Sequence, residues 1–272
     1  MSFVGTLPER YRVILCDIWG VVHDGVNLYP GSADRLLKWR DEKRRIVLIT
    51  NAPRTAEAVE AQLGRIGLPR EAWDGISTSG EAGIAALTAT GQAVGFIGTR
   101  SDLAILKGRK VPIADGNDFT ELACTGLDDE RHQVEDYRPQ LEELARRDVL
   151  LHCLNPDRIV VRGGATEPCA GALADIYLDL GGRVEWYGKP FPTIYRHALG
   201  LAGNPAPSEV LAVGDGLQTD ILGAAKMGFD AIFVAGGIHA GEEFPPDFGA
   251  KNGLGGWLPV AVVDSLRQCE PE

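Results

Sequence analysis

The sequence predicts an α/β protein: a doubly wound parallel sheet, Rossmann-like, with a second and smaller α/β domain inserted into it. Two observations predict this architecture. Short, continuously apolar runs alternate with helical patterns along the whole chain, and such runs are typical of strands that helices cover on both faces. A second series of this kind occupies the middle of the chain and is long enough for a core of its own. Strand–helix–strand order with buried strands implies a parallel sheet.

Length and composition narrow the class of protein. The chain has 272 residues, which suits one large or two unequal domains. Its 27 basic and 38 acidic residues give a net charge of −11, whereas a binder of nucleic acid polymers needs a basic face. Glycine contributes 34 residues, well above the usual fraction of about 7%. Without a collagen period, this excess indicates many tight turns.

The predicted core domain takes residues 1–80 and 187–272, so both ends of the chain contribute to it. Its elements, in order, are a strand at 13–16, a helix at 33–43, a strand at 46–49, a strand at 210–213, an alanine- and leucine-rich segment at 218–227 and a strand at 231–234.

The predicted inserted domain takes residues 81–186. Its elements, in order, are apolar runs at 93–97 and 123–125, a loop at 126–136, a helix at 138–147, apolar runs at 149–154 and 159–161, and a helix at 169–180. A further apolar stretch at 184–187 leads back towards the core domain.

The sequence gives no sign of a membrane partner or of export. No stretch approaches the roughly 20 apolar residues of a membrane helix, and residues 1–12 lack the apolar region of a signal peptide. The 5 cysteines are odd in number, widely spaced and without a C-x-x-C pair, which indicates reduced thiols. We therefore expect a cytoplasmic protein.

Polar residues follow the predicted strands where ligands bind in open parallel sheets, beyond the carboxyl ends. Asp17 follows the first strand, Thr50 the second and Asp215 the strand at 210–213. Lys189 comes directly after the apolar stretch at 184–187, and Asp220 opens the segment after Asp215.

Each of these residues alone has a simpler interpretation. An Asp or Asn at a strand end often caps the next helix, and this alternative is strongest for Asp220, whereas a lone Lys is usually a surface cation. Together they indicate more, because carboxylates at one sheet edge repel each other unless a cation or a proton lies between them. Hard carboxylates with phosphate oxygens suit Mg²⁺. The sequence carries no phosphate-binding P-loop, dinucleotide fingerprint, nucleophile elbow or zinc-protease motif.

Four motifs in order resemble those of the haloacid dehalogenase (HAD) superfamily. Residues 13–21, VILCDIWGV, are similar to motif I, and Thr50-Asn51 to motif II. Lys189 matches motif III, and residues 214–220, GDGLQTD, match motif IV. The large insertion between motifs II and III resembles a C2-type cap, as in the class IIA, NagD-like branch. The resemblance implies a hydrolase of small phosphorylated metabolites such as sugar phosphates, nucleotide monophosphates or pyridoxal phosphate.

The resemblance also implies roles for the residues of the core domain. Asp17 would be the nucleophile that forms an aspartyl phosphate. Mg²⁺ would be held by Asp17, the backbone carbonyl of Trp19 and Asp215, with Asp220 in support. Lys189 would balance the charge of nucleophile and phosphate.

Further roles carry over to phosphate and substrate contacts. Thr50, Asn51 and Ala52 would bind phosphoryl oxygens. In this branch the cap reads the substrate, for which the candidates are Asn155, Asp157, Arg158 and the loop at 162–166. Relatives of this branch commonly form homodimers through the cap, so a homodimer is also expected.

Position 19 departs from the family pattern, because the second Asp of motif I is Trp19. That Asp serves the phosphatases as general acid and base, whereas an indole N–H only donates and does not titrate usefully. Several interpretations stay open. His23 or Asp24 could substitute as the acid, or the substrate could carry a good leaving group or react slowly. The chain could also be a non-catalytic metabolite binder or, less in keeping with its retained Asp215 and Asp220, a carbon–halogen hydrolase.

Overall fold

The protein divides into two compact units in a computed structural model that describes residues 7–162, 165–236 and 244–269. We call them the core unit and the inserted unit. The core unit comprises 1–50, 56–77 and 189–272, and the inserted unit comprises 51–55 and 78–188. Among the described residues, none of the helices combines the length and the apolar character needed to span a bilayer.

The described residues form twelve strands. In chain order they are β1 (Val13–Asp17), β2 (Arg45–Thr50), β3 (Gly75–Thr78), β4 (Gly95–Ile97), β5 (Glu121–Cys124), β6 (Leu150–Cys153), β7 (Ile159–Arg162), β8 (Ala165–Pro168), β9 (Arg183–Trp186), β10 (Val210–Gly214), β11 (Asp230–Val234) and β12 (Ala261–Val263).

The same residues form nine α-helices. In chain order they are α1 (Ser32–Asp41), α2 (Ala56–Ile66), α3 (Ser79–Thr90), α4 (Arg100–Gly108), α5 (Arg138–Arg146), α6 (Ala170–Asp179), α7 (Pro192–Leu201), α8 (Leu222–Lys226) and α9 (Phe248–Lys251).

The core unit is built on a six-stranded sheet in the order β12-β11-β10-β1-β2-β3. The pairs of β1 with β10 and β2, and of β11 with β10 and β12, are parallel. All five residues of β1 are buried, as expected for a central strand covered on both faces. The predicted fold class, a doubly wound parallel α/β fold, is confirmed, and the four predicted core strands are present within two residues of their expected bounds.

The register of the sheet brings three strand ends to one level. Asp17 of β1 is opposite Ile49 of β2, so Thr50 lies one residue further along. Cys16 is opposite Val213 of β10, which places Gly214 level with Asp17. Parallel strands end at the same edge of their sheet, and the residues after β1, β2 and β10 therefore share one edge.

The inserted unit has a sheet and a hydrophobic core of its own. Strands β4, β5, β6 and β9 form a parallel sheet in that order, and β7 and β8 form a separate antiparallel pair. Its core includes Tyr137, Leu141 and Leu144 beside Leu173 and Tyr177, all buried. Tyr177 donates a hydrogen bond from its hydroxyl to the Val149 carbonyl at 2.5 Å, which satisfies its one polar atom inside this core.

The two units differ from the predicted boundaries at residues 51–55, 78–80 and 187–188. The predicted boundary between 80 and 81 falls inside α3, which begins at Ser79. The Ser79 hydroxyl donates to the carbonyls of Asn51 and Ala52 at 2.7 and 3.1 Å, and the Thr78 hydroxyl donates to the Arg54 carbonyl at 2.6 Å. These bonds join the start of α3 to segment 51–55, so both belong to the inserted unit.

Candidate active site

Three buried carboxylates meet at the carboxyl edge of the core sheet. Asp17 ends β1, Asp215 follows β10, and Asp220 lies five residues further along. Their side chains each offer a carboxylate oxygen, and these three atoms all lie within 4.8 Å of one another. We call these residues the carboxylate cluster. Carboxylates this close and this buried are the donor set that a hard cation requires.

Lys189 places its ammonium group inside the carboxylate cluster. Its Nζ donates to Asp17 Oδ1 at 2.6 Å and to Asp220 Oδ1 at 2.8 Å, and the Lys189 side chain is only 4% exposed. Burial by itself lowers the pKa of Lys189, but the charges of Asp17 and Asp220 outweigh it and raise that pKa. Lys189 is therefore a fixed positive charge beside both carboxylates.

The carboxylate cluster carries more negative charge than Lys189 can offset. Burial raises the pKa of Asp17 well above its usual value, and the charges of Asp220 and Asp215 raise it further, against the lowering effect of Lys189. The three carboxylates lie together beside one ammonium group, that of Lys189, and repel one another. A divalent cation held between them would reduce this repulsion, so the cluster fits a metal ion.

A short turn before α8 fixes the orientation of Asp220. Its Oδ2 accepts hydrogen bonds from the Gly216 backbone N–H and the Thr219 hydroxyl, each at 3.2 Å. The Tyr195 hydroxyl is positioned to donate to the Thr219 or Asp220 carbonyl, at 3.3 and 3.4 Å. The Asp220 side chain therefore hydrogen-bonds to Lys189 and to preceding residues of its own turn, and it does not cap α8. No local pattern indicates Tyr195, because its partners lie more than twenty residues away in the chain.

Gly20 allows the backbone after β1 to approach Asp215 closely. A Cβ atom at position 20 would lie 1.9 Å from Asp215 Oδ2, and Gly20 has a φ of +81°. Only glycine meets both conditions, the contact and the left-handed backbone. The peptide that joins Trp19 to Gly20 is thereby held next to the carboxylate cluster.

Replacing Gly20 with Ala is expected to destabilise the protein by more than the backbone conformation alone accounts for. The left-handed conformation costs about 1–2 kcal/mol for a residue with a Cβ atom, and displacing Asp215 adds to it. Gly67→Ala is the matched control, since Gly67 has a φ of +96° with nothing within 4 Å of an added Cβ. Urea denaturation of both variants measures the difference. Equal losses of unfolding free energy would show that the Asp215 contact contributes nothing.

Trp19 and His23 pack against each other in the segment after β1. Their ring centroids lie 5.1 Å apart in an edge-to-face arrangement, and Trp19 is 39% exposed. The benzo edge of Trp19 lies against Gly25, where an added Cβ would be 2.4 Å from Cη2. The Gly25 N–H donates to His23 Nδ1 at 2.9 Å, and burial lowers the pKa of His23 although Asp24 opposes this. His23 is therefore a neutral imidazole with its proton on Nε2.

Asp24 belongs to a turn on the exposed side of the same segment. Its Oδ1 accepts hydrogen bonds from the backbone N–H groups of Val26 and Asn27, at 2.9 and 2.7 Å. These bonds favour the ionised carboxylate and lower its pKa. The geometry therefore gives Asp24 a structural part in the turn and makes it a poor substitute acid.

The residues expected to bind phosphoryl oxygens fall in both units. Thr50 is buried at the end of β2 in the core unit. Asn51 and Ala52 belong to the inserted unit, where their carbonyls accept from Ser79. The Asn51 side-chain amide donates to Asp157 Oδ1 at 2.8 Å.

The residues expected to contact substrate are tied into the inserted unit by hydrogen bonds. Asn155 Oδ1 accepts from the Asp157 N–H at 3.2 Å. Arg158 forms a two-point ion pair with Asp175 at 2.8 and 3.0 Å and lies over the Trp186 ring, 5.2 Å from its centroid. Arg158 thus has a structural role that the sequence did not indicate. The loop at 162–166 includes residues 163 and 164, which lie outside the described residues.

Two protein-family models match the chain and leave residues 112–185 between them. The model described as haloacid dehalogenase-like hydrolase matches residues 14–111, which includes β1 and β2. A second, HAD-hydrolase-like model matches residues 186–269, which includes Lys189 and the segment of Asp215 and Asp220.

Individual relatives match nearly the whole chain. A solved hydrolase of the haloacid dehalogenase-like family from Brucella suis 1330 has 35% identity and a TM-score of 0.77, covering 95% of this chain and 97% of that one. The ribonucleotide monophosphatase NagD of Escherichia coli K12 is 29% identical over 241 residues, 85% of this chain and 90% of NagD. An acid sugar phosphatase of Staphylococcus saprophyticus is 24% identical over 254 residues, 90% of this chain and 96% of that protein.

Proposed function

The chain belongs to the haloacid dehalogenase-like hydrolases, in their class IIA, NagD-like branch, and from this membership we propose that it is a Mg²⁺-dependent phosphatase of small phosphorylated metabolites. The curated relatives are named as phosphatases of ribonucleotide monophosphates and of sugars. Their names support the substrate class, a phosphoric monoester on a small metabolite.

The observation that carries this proposal is the contact of Lys189 with the carboxylate cluster. Lys189 Nζ lies 2.6 Å from Asp17 Oδ1, although 172 positions separate the two residues in the chain. A phosphate dianion must approach the buried Asp17 carboxylate, and the negative charges of the carboxylate cluster repel it. Lys189 reduces that repulsion at the atom beside the reacting oxygen.

The chain's own residues divide the work of phosphoryl transfer. Asp17 presents its second carboxylate oxygen to phosphorus while Oδ1 stays bonded to Lys189, which orients the nucleophile. Asp17, Asp215, Asp220 and the Trp19 carbonyl would hold Mg²⁺, which neutralises charge on the phosphoryl oxygens when bound. Asp220 keeps Lys189 in place through its bond at 2.8 Å. Thr50, which ends β2 in the core unit, would bind another of the phosphoryl oxygens.

Phosphate release from a panel of phosphorylated metabolites tests the proposal directly. The panel should contain sugar phosphates, nucleotide monophosphates, pyridoxal phosphate, acetyl phosphate and phenyl phosphate, each assayed with MgCl₂ and with a chelator. We expect release from one or more of these compounds with Mg²⁺ and loss of that release with the chelator. Thermal shifts with panel members but no phosphate release under either condition would favour a metabolite-binding protein instead. Halide release from haloalkanoates that survives the chelator would favour a dehalogenase.

Adding MgCl₂ to chelator-treated protein is expected to raise its melting temperature. A ligand that binds only the folded state, at about 100 times its dissociation constant, stabilises by about 2.7 kcal/mol, or roughly 5 °C for a protein of this size. Asp215→Asn should remove most of this shift, because it takes one carboxylate from the cluster. Asp41→Asn is the control, since Asp41 is exposed at the end of α1. Equal Mg²⁺ shifts in both variants would exclude Asp215 as a ligand.

A further inference from the structure

The segment that follows Asp17 places few proton-bearing side chains near the reacting oxygen. Residues 18–29 are all described, and their side chains with a polar hydrogen or a titratable group are Trp19, His23, Asp24, Asn27 and Tyr29. A leaving oxygen that departs from phosphorus as an alkoxide needs a proton from such a group. A proton from one of these side chains would let the site cleave compounds whose leaving oxygen is a strong base.

Trp19 occupies the position two residues after Asp17 and brings no acid to it. An indole N–H donates hydrogen bonds but does not lose its proton in this chemistry. The side chain is also seated within its own segment, against Gly25 and the edge of the His23 ring.

The side chains of His23 and Asp24 both accept hydrogen bonds from backbone N–H groups of the turn that follows them. His23 Nδ1 accepts the Gly25 N–H, and Asp24 Oδ1 accepts the N–H groups of Val26 and Asn27. A carboxylate that accepts two amide hydrogen bonds is an ionised acceptor rather than a donor. His23 is 1% exposed, so its remaining Nε2–H has little access to a bound substrate.

Lys189 and Tyr29 are the remaining proton-bearing groups to consider. The Lys189 ammonium donates to Asp17 and Asp220, so its protons point at the nucleophile and its neighbour rather than at a departing oxygen. Burial, with the charges of Asp24 and Asp215, raises the pKa of the Tyr29 phenol and makes it a weaker acid than a free phenol. The Tyr29→Phe variant below tests this phenol directly.

We propose, resting on the phosphatase function above, that this site cleaves phosphate compounds whose leaving oxygen is a weak base, acyl and aryl phosphates, and discriminates against alkyl phosphates. Carboxylic acids have a pKa of about 4 and phenols of about 10, whereas an alkoxide is about as basic as hydroxide. Carboxylates and phenolates therefore depart without a proton, and the segment after Asp17 need not supply one.

The reaction balances without a protein acid. The Asp17 oxygen forms a bond to phosphorus while the bond from phosphorus to the leaving oxygen breaks, and its electron pair leaves on a carboxylate or phenolate. The oxygen of a water molecule then forms a bond to the phosphorus of the aspartyl phosphate. The bond to Asp17 breaks, its electrons restore the carboxylate, and both protons of the water depart with the phosphate.

The test is the dependence of turnover on the leaving group. Acetyl phosphate, phenyl phosphate and ethyl phosphate should be compared by kcat/KM on the wild-type protein with MgCl₂. The absence of a general acid lowers the rate by about 10²–10⁴-fold. The kcat/KM of ethyl phosphate should therefore be lower than that of phenyl phosphate by at least about 10²-fold. Ethyl phosphate within about tenfold of phenyl phosphate would overturn the inference and leave the phosphatase function standing. Hydrolysis of none of the three, nor of the metabolite panel, would overturn the phosphatase function itself.

Two variants at position 19 separate proton transfer from the loss of the indole. Trp19→Asp should raise the ratio of kcat/KM for ethyl phosphate to that for phenyl phosphate by about 10²-fold. Trp19→Asn introduces a side chain of the same shape as Asp but without an acidic group, and it should leave that ratio low. Both substrates are assayed on the same preparation of each variant. A smaller fraction of folded protein therefore lowers both activities equally and leaves the ratio unchanged. A ratio that is the same in both variants would overturn the inference. A lower ratio in Tyr29→Phe than in the wild type would also overturn it, by identifying Tyr29 as the missing donor.

Discussion

Replacing Asp17 with Asn will abolish phosphate release from every substrate that the wild-type protein hydrolyses. An amide of the same size keeps the packing at the end of β1, where the side chain is buried, but cannot attack phosphorus. Loss of a covalent nucleophile costs on the order of 10⁴-fold or more in kcat. The measurement is phosphate release with MgCl₂ under conditions where the wild-type protein gives a linear signal.

Asp24→Asn is the matched control for Asp17→Asn. It makes the same Asp-to-Asn substitution in an exposed turn of the same segment. There the Asn side-chain oxygen can still accept hydrogen bonds from the N–H groups of Val26 and Asn27. This variant should keep activity within about twofold, because exposed changes away from the site have small effects. Rapid quenching followed by mass spectrometry should find a phosphoryl group on Asp17 in wild type and control alone. Full activity in Asp17→Asn would refute the assignment of the nucleophile.

Replacing Lys189 with Met will destabilise the protein strongly in the presence of a chelator. The variant keeps an aliphatic side chain in place but leaves the three carboxylates of the cluster without their buried cation. Removing one partner of a buried ion pair costs about 3–5 kcal/mol, which urea denaturation measures readily. Lys226→Met is the control, since Lys226 is exposed in the last turn of α8, and it should change stability by less than about 0.5 kcal/mol.

The pH and metal dependence of Lys189→Met should identify the cause of the loss. Lys189 lowers the pKa of Asp17, so its removal raises that pKa further above the unfolded value. A carboxyl group with a raised folded pKa contributes stability at low pH that is lost as the pH rises through the folded pKa. The deficit should therefore shrink on acidification, and MgCl₂ should restore part of the stability. A deficit independent of both pH and Mg²⁺ would indicate lost packing instead.

The buried strands and the residues that follow them could be predicted from the sequence. Continuously apolar runs marked β1, β2, β10 and β11, because strands covered on both faces leave little room for polar residues. The geometry of a parallel sheet then placed the residues after those strands at one edge. Asp17, Asp215 and Lys189 do meet there within hydrogen-bonding or metal-binding distance.

Strand β3 escaped prediction because it lacks that signal. It reads GIST, and Ser77 and Thr78 satisfy their hydroxyls through partners that only the fold supplies. Ser77 Oγ lies 2.8 Å from His197 Nδ1 and the Thr78 hydroxyl bonds the Arg54 carbonyl. A polar strand of this kind looks like a loop until its hydrogen-bond partners are known.

The residues that position the side chains of the site could not be predicted from the sequence either, because their partners are known only from the fold. Tyr195 bonds the turn of Asp220, and Gly20 lies against Asp215, through contacts between residues far apart in the chain. Such contacts follow no periodic pattern. Arg158 and Asp175 likewise pair although 17 positions separate them in the chain, and no local pattern in the sequence indicates that contact.

The position of β1 in the middle of the core sheet has a consequence for synthesis of the protein. Strand β1 is made before the other strands of this sheet, yet one of its two neighbours, β10, begins only at Val210. Until then the nascent chain presents an apolar strand with one unpaired edge, a template for association with other chains. C-terminal truncations that remove β10 are therefore expected to form inclusion bodies, and emerging chains on the ribosome to need the protection of a chaperone.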